Sequence, residues 1–528
     1  MNYKRDISSL GILCASLSGI IGSGWLFGCL FAAQMAGPAS IFSWIIGGVS
    51  VLFLALTYAE VSTMFPISGG FATLPVFTHG KLAGFILTWI TWVTYVVSIA
   101  QEVQATIFYL GNHFPSWVQK QDGVTQFTHL GFFISFLIML SLLFINSFGA
   151  KLFSKANTVV SLWKLFVPFI VVVLFIFNSF HNNNHFLFAD GFSSSSFAPY
   201  GIHGVFSAVA LSGVVYSFCG FQHGAMLAGE AKNPQKAVPM AAIGSIIICI
   251  LLYCGLQYAF ISALPDSALA NGWKNLSFVG DAGPLAGLSS MLGLGWLAMV
   301  LYVDSVISPL GTGVIYMASS ARVVQNMSTT GSMPKFFARL TKFGVPIRAM
   351  ALNFILAMLA FLPFKGWQSI VSFLSSALVF SFAVGPLCLV AFRKQLPLQH
   401  RPFRLPFYQV FSFIAFYVCN LMIFWSGFDV VWKLSVTLAI GAIAFMLSSN
   451  KTTRSDFISA VWLVPYMGSF CLLSYYGSFA GGINMIPLGE DFIYVFALSL
   501  IFFILSQKMS LSEKECRENM RLILGTER

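Results

Sequence analysis

The chain has 528 residues, 57% of them hydrophobic and 9% charged, with a mean hydropathy of +0.83. Soluble domains carry about 25% charged residues, so the composition excludes a soluble enzyme or binding module and predicts a polypeptide that crosses a membrane many times. The formal net charge of +11 does not point to nucleic acid, because 23 of the 28 Lys and Arg fall on the N-terminal side of the alternating apolar runs. That bias is the positive-inside rule, and it predicts a multi-pass protein of the cell inner (plasma) membrane with both termini cytoplasmic.

Apolar runs of about 20 residues, enough to cross roughly 30 Å of hydrocarbon, recur from end to end. They predict fourteen helices over 8–33, 38–64, 81–112, 128–147, 157–178, 203–228, 237–263, 287–320, 347–363, 366–392, 407–427, 430–449, 457–477 and 490–507. The tail from 508 to 528 mixes both charge signs and suits a short helix outside the membrane.

The first run contains "SGIIGSGWLFG" (18–28), with Gly19, Gly22, Ser23 and Gly24 at mid-span. Breaking a helix in hydrocarbon strands N–H and C=O groups at several kcal/mol each, so a break persists only where protein or a wet cavity surrounds it. Around Ile21 and Gly22 the freed N–H groups of Ser23, Gly24 and Trp25 would open a second half-helix, a positive dipole end suited to a carboxylate. The alternative is that these glycines only permit close helix packing, since Gly24 and Gly28 have small-xxx-small spacing.

Farther along, Glu60 and Glu230 lie at helix ends near basic loops and are expected to cap or pair there. Three ionisable side chains lie well inside the first ten spans: Glu102, Lys164 and Asp304. Charges at that depth are functional candidates by default. Glu102, flanked by Gln101 and Gln104, suits a second proton carrier or a wet vestibule. His181 and His185 of "HNNNH" have metal-like spacing only if helical, and a solvated loop is the expected reading.

The sixth span carries "VVYSFCGFQHG" (214–224), a second glycine-containing interruption. Carbonyls freed around Tyr216, Ser217, Phe218 and Cys219, with Gly220, Phe221 and Gln222 beside them, suit an ammonium group. Both ends together suit a zwitterion, hence an α-amino acid. Phe218 and Phe221 are the expected gate rings. Spans 1–5 (1–180) and 6–10 (200–392) then form two groups of five with opposite membrane orientation and matching interruptions, the pattern that points to a transporter site. The remaining spans (393–507) are accessory.

In the eighth span, "YVDSVISPLGTG" (302–313) sets Asp304, Ser308 and Thr312 on one face, and Pro309 cannot donate to the Ser305 carbonyl. Lys164 is expected to meet Asp304, Ser305 or Ser308 there, as a coupling group if its proton cycles and as a fixed ion pair if it does not. Of nine cysteines, eight lie in apolar runs as small hydrophobes. No cysteine pair has metal-ligand spacing, and no metal cluster, nucleophile–base set or phosphate loop is found, so neither an enzyme nor a cofactor is expected.

"GIIGSGWLFG" (19–28), "YAEVSTMFPISGGF" (58–71), "GEAKNPQKAVP" (229–239) and "RPFRLP" (401–406) together resemble the amino acid–polyamine–organocation superfamily of permeases over roughly residues 1–430. Within it the chain is similar to bacterial aspartate–proton symporter-like members. The resemblance implies an all-α fold of five plus five inverted helices with spans 1 and 6 broken, alternating access, and amino acid transport commonly coupled to protons. It also implies that Lys164 matches a span-5 lysine used by proton-coupled members. The chain departs from the pattern at Gln222–His223, where many members have a glutamate. Proton symport of an amino acid, with acidic ones among the candidates, is thus the leading expectation, and an exchanger or an amino acid sensor are the alternatives. Monomer and homodimer are both compatible with the sequence.

Overall fold

A computed structural model describes residues 7–65, 74–121, 124–148, 150–181, 196–342, 344–364, 366–448 and 453–524. The expected loop residue His185 lies outside the described residues. The first predicted span is split into α1 (Ser9–Ile20) and α2 (Gly24–Ala36). Next come α3 (Ser40–Met64), α4 (Leu74–Leu110), α5 (His129–Ser147) and α6 (Ala150–His181). The sixth span falls into three pieces, α7 (Gly201–Leu211), α8 (Val214–Phe218) and α9 (Gln222–Met226). It is followed by α10 (Pro234–Ser262), α11 (Pro284–Met291), α12 (Gly295–Thr329), α13 (Ile347–Ala360), α14 (Trp367–Phe382) and α15 (Val384–Gln395). The C-terminal part contains α16 (Tyr408–Trp425), α17 (Phe428–Ser448), α18 (Arg454–Ile458), α19 (Leu463–Tyr476), α20 (Glu490–Lys508) and a tail helix, α21 (Glu513–Leu524).

Helix thus stands at every predicted span. Among the described residues, eleven helical segments are long and apolar enough to cross a membrane, while Ser9–Ile20, Gly201–Leu211 and Ile347–Ala360 are shorter. The chain is a helical, polytopic membrane protein. Besides the helices, a small antiparallel hairpin lies between α4 and α5, in which β1 (Val118–Gln121) pairs with β2 (Val124–Phe127), Val118 opposite Phe127.

Helices α4 and α14–α15 run through the interior, buried on nearly all sides, as helices apolar all round must be. By contrast α5, α6 and α10 each turn large apolar side chains outward, including Phe133, Phe166 and Leu251. Those side chains have lipid as their natural solvent.

At the end of the bundle where α3 finishes, the fully buried Glu60 is held by α15 and the loop beyond it. Arg393 Nε and Nη2 donate to its two carboxylate oxygens at 2.7 and 2.9 Å, Arg401 Nε lies 3.5 Å away, and Leu405 N–H donates at 2.7 Å. Glu60 is therefore structural, as expected. Removing one partner of a buried pair strands the other's charge, at a cost of about 3–5 kcal/mol. Glu60→Ala is accordingly expected to lower the thermal unfolding midpoint of the purified protein markedly, and an unchanged midpoint would refute the role.

The tail is docked at the same end. Leu511 N–H donates to Thr78 O (2.8 Å), and Gln395 Nε2 donates to both Thr78 O and Leu511 O (3.0 and 2.7 Å). Cys516 of α21 is fully buried.

Candidate substrate site at the interrupted helices

The break in the first span follows from where its backbone bonds go. Gly22 N–H, which in a continuous helix would meet Ser18 O, donates instead to Ile20 O (3.0 Å). Ser18 O is thereby released and accepts from Lys164 Nζ (2.8 Å) and Thr312 Oγ1 (3.1 Å). Lys164 Nζ also donates to Thr312 Oγ1 (2.7 Å), and Ile21 O lies 3.5 Å from the same hydroxyl. A helix-1 carbonyl, a lysine of α6 and a threonine of α12 are thus tied at one point.

On the other side of the break, Ser23 N–H has lost its helical acceptor and donates to Glu102 Oε2 (3.0 Å). Glu102 Oε1 accepts from Tyr216 Oη (2.8 Å), whose hydroxyl also meets Gln101 Oε1. Gln101 Nε2 donates to Ser23 Oγ (2.6 Å). Glu102 and Lys164 are both fully buried. Gly22 stands between Glu102 and Thr312: a Cβ there would run into the Glu102 carboxylate and come within 3.2 Å of Thr312 Oγ1.

The sixth span breaks twice, at 212–213 and 219–221, with Gly213 at φ 92° and Gly220 at φ 139°. Gly220 lies backbone to backbone against Gly19 and Ile20, so the two interrupted spans touch at their breaks. Ser16 Oγ donates to Phe221 O (3.0 Å) across the crossing, and within the sixth span Gly220 N–H donates to Gln222 Oε1 (2.9 Å). The glycines divide between the two roles that the sequence leaves open. Gly22 and Gly220 shape the breaks, whereas Gly24 packs on Ser217 and Gly28 on Trp44.

Several expectations are corrected. The carbonyl of Tyr216 is not freed, because Cys219 N–H donates to it at 3.0 Å and residues 214–218 close one helical turn. Ser217 Oγ and Cys219 Sγ bond back to Gly213 O and Val215 O. Lys164 does not meet Asp304, Ser305 or Ser308. Asp304 Oδ1 instead accepts from Trp163 Nε1 (2.8 Å) and Ser308 Oγ (2.7 Å), while Ser305 Oγ donates to Tyr302 O. Helix α12 continues unbroken through Pro309.

The expected gate rings are occupied with packing. Phe218 meets Trp44 and Tyr253 at 5.9 and 5.3 Å, and Phe221 meets Tyr58 and Phe382 at 5.7 and 5.0 Å. Truncating a buried Phe costs about 3–5 kcal/mol. Phe218→Ala is thus expected to lower the unfolding midpoint while leaving substrate affinity within about twofold; a large affinity change with full stability would restore the gate reading.

The sequence does not single out the aromatic groups at the two ends of the site. Trp367 stacks on Phe27 (4.9 Å) and Phe31 (5.4 Å), with Tyr109 edge-on to Phe27, at the end away from the N-terminus. Toward the N-terminal end, His223 lies between Tyr95 and Tyr316, with Ser319 Oγ 3.3 Å from its Nδ1. Thr312, which spacing alone sets on the right helix face, is the lysine's side-chain partner.

A bundle that buries an acid, an amine and two touching helix breaks beneath a lipid-facing exterior is built as a polytopic transporter rather than an enzyme. A family model described as amino acid permease matches residues 7–445, and the chain belongs to that family. It is 34% identical to the glutamate/serine transporter AimA of Bacillus subtilis over 513 residues, 96% of this chain and 94% of the relative. It is 32% identical to the aspartate-proton symporter of the same organism over 510 residues, 95% and 96% of the two chains. Its identity to the branched-chain amino acid permease BcaP, also of Bacillus subtilis, is 24% over 464 residues, 86% and 95%. The protein is an amino acid transporter.

Proposed function

We propose that the protein is a proton-coupled symporter that carries an amino acid, with acidic ones the first candidates, across the plasma membrane by alternating access. The observation that carries this reading is the tie of Lys164 to Ser18 O and Thr312. There the amine is fully buried and, among the described residues, forms no ion pair. Such a charge is sustained by a few acceptors rather than by water. If the helix break moves, those partners go with it, and the lysine has reason to exchange its proton with the conformational cycle.

Residues 1–180 and 200–392 are read as the two inverted halves, since the first span of each is the interrupted one and the interruptions touch. The basic bias of the loops supports cytoplasmic termini. An acidic substrate fits the names of two relatives described above, a glutamate/serine transporter and an aspartate-proton symporter.

The test is uptake into proteoliposomes that contain no amino acid and carry an imposed inward proton gradient. Concentrative uptake of labelled aspartate, glutamate or serine, abolished by a protonophore, is the expected result. Uptake that requires preloaded amino acid would make the protein an exchanger, and saturable binding without flux would make it a sensor.

A further inference from the structure

Of the N–H groups expected to receive a substrate carboxylate, those of Ser23, Gly24 and Trp25, the first already holds one. At the start of α2, a 13-residue helix, the free N–H of Ser23 donates to Glu102, and Tyr216 Oη donates to the other oxygen of the same carboxylate. The seat is shaped for that group, because Gly22 leaves open the space a Cβ would take from Glu102 Oε1. Polar capacity beyond Glu102 remains at the break: Ser18 Oγ and Trp25 Nε1 are fully buried and have no hydrogen-bond partner among the described residues. Unpaired buried polar atoms are costly in a finished interior, and they mark a place where a further polar ligand is accommodated.

We propose that Glu102 is a tethered stand-in for the substrate's α-carboxylate, which must vacate the Ser23 N–H before an amino acid can bind. The inference rests on the reading of this site as the amino acid site and adds how it is regulated. Two carboxylates brought together in a dry enclosure repel strongly, and one backbone N–H has one proton to give. Glu102 and the substrate carboxylate are therefore alternatives at this position. Glu102 keeps the broken helix satisfied when the site is empty, and its displacement reserves the site for ligands that bring a carboxylate of their own. Tyr216, which donates to the same carboxylate, and Gln101, which holds the Tyr216 hydroxyl and Ser23 Oγ, are the positioning residues of the exchange.

The experiment is equilibrium binding to the purified full-length protein in nanodiscs. The twenty common amino acids are screened by thermal stabilisation of the wild type, and the best ligand is then titrated together with its α-carboxamide analogue. Glu102→Ala removes the competitor, while Glu102→Gln keeps its shape with a neutral acceptor and guards against a folding defect. Because a hydrogen bond to a charged group outweighs a neutral one, the amino acid is expected to bind about tenfold more tightly to Glu102→Ala and several-fold more tightly to Glu102→Gln. The carboxamide should gain much less from either change. A general loosening of structure would not distinguish acid from amide. Unchanged or weaker binding of the acid to both variants, with the wild type binding normally, would overturn the stand-in alone. A wild type that no amino acid stabilises or binds would overturn the site reading and this inference together.

Discussion

Lys164→Met is expected to abolish proton-driven accumulation while leaving exchange of amino acid across the membrane measurable. The amine donates to Ser18 O at 2.8 Å and to Thr312 Oγ1 at 2.7 Å. When it is removed, Ser18 O keeps the bond from Thr312 at 3.1 Å, so the helix break retains a partner. Methionine preserves most of the buried volume and adapts readily to irregular space. The variant should therefore fold and bind, which is why a specific loss of coupling is predicted rather than a loss of protein. Lys164→Ala should show the same loss of uphill uptake with lower stability, because it leaves a cavity. Lys164→Arg should fail as well, since a guanidinium holds its proton and does not take part in an exchange. Counterflow of labelled substrate, set against gradient-driven uptake in the same vesicles, separates coupling from translocation. Uphill uptake at the wild-type rate in Lys164→Met would remove the lysine from the coupling step.

Much of this arrangement is legible in the amino-acid order, and the parts that are not have definite physical reasons. The break at 21–23 can be located because clustered glycines weaken a helix just where the apolar run needs one to satisfy its backbone. The second break is harder to place: the sequence points to Tyr216–Cys219, whereas the chain turns at Gly213 and Gly220. The glycines with positive φ, and not the residues between them, mark the interruptions. Those intermediate residues close a helical turn of their own through Ser217 N–H to Gly213 O.

Charge alone points Lys164 toward Asp304, but reach decides its partner. Asp304 stands eight residues from Thr312 on α12, about 12 Å along the axis, and its Oδ1 already accepts from Trp163 and Ser308. The hairpin has a signal of its own in Asp122–Gly123, a two-residue turn sequence between Val118–Gln121 and Val124–Phe127. It is short enough to be hidden among the long apolar runs. The ring cluster around Trp367 has no such signal. With 56 Phe in the chain, spacing alone cannot separate a ring that closes a site from one that faces lipid.

Gly220→Ala is the substitution expected to do the most damage for its size. At φ 139° the residue occupies backbone space that side-chain-bearing residues rarely adopt. An added Cβ would also collide with the backbone of Gly19 and Ile20, where no side chain can swing aside. Relief requires the two interrupted spans to move apart, and that separates the Ser16–Phe221 bond and shifts the backbone that presents Ser18 O to Lys164. Transport is expected to fall below about 1% of wild type at equal surface expression, with a lowered unfolding midpoint. Gly244→Ala in α10 is the matched control: its Cβ would meet only Leu13 Cδ1, at 3.9 Å. In a helix interior that change is neutral or favourable by about 0.5–1 kcal/mol. If Gly220→Ala transported as well as Gly244→Ala, the close crossing of the two broken spans would not be what holds the site together.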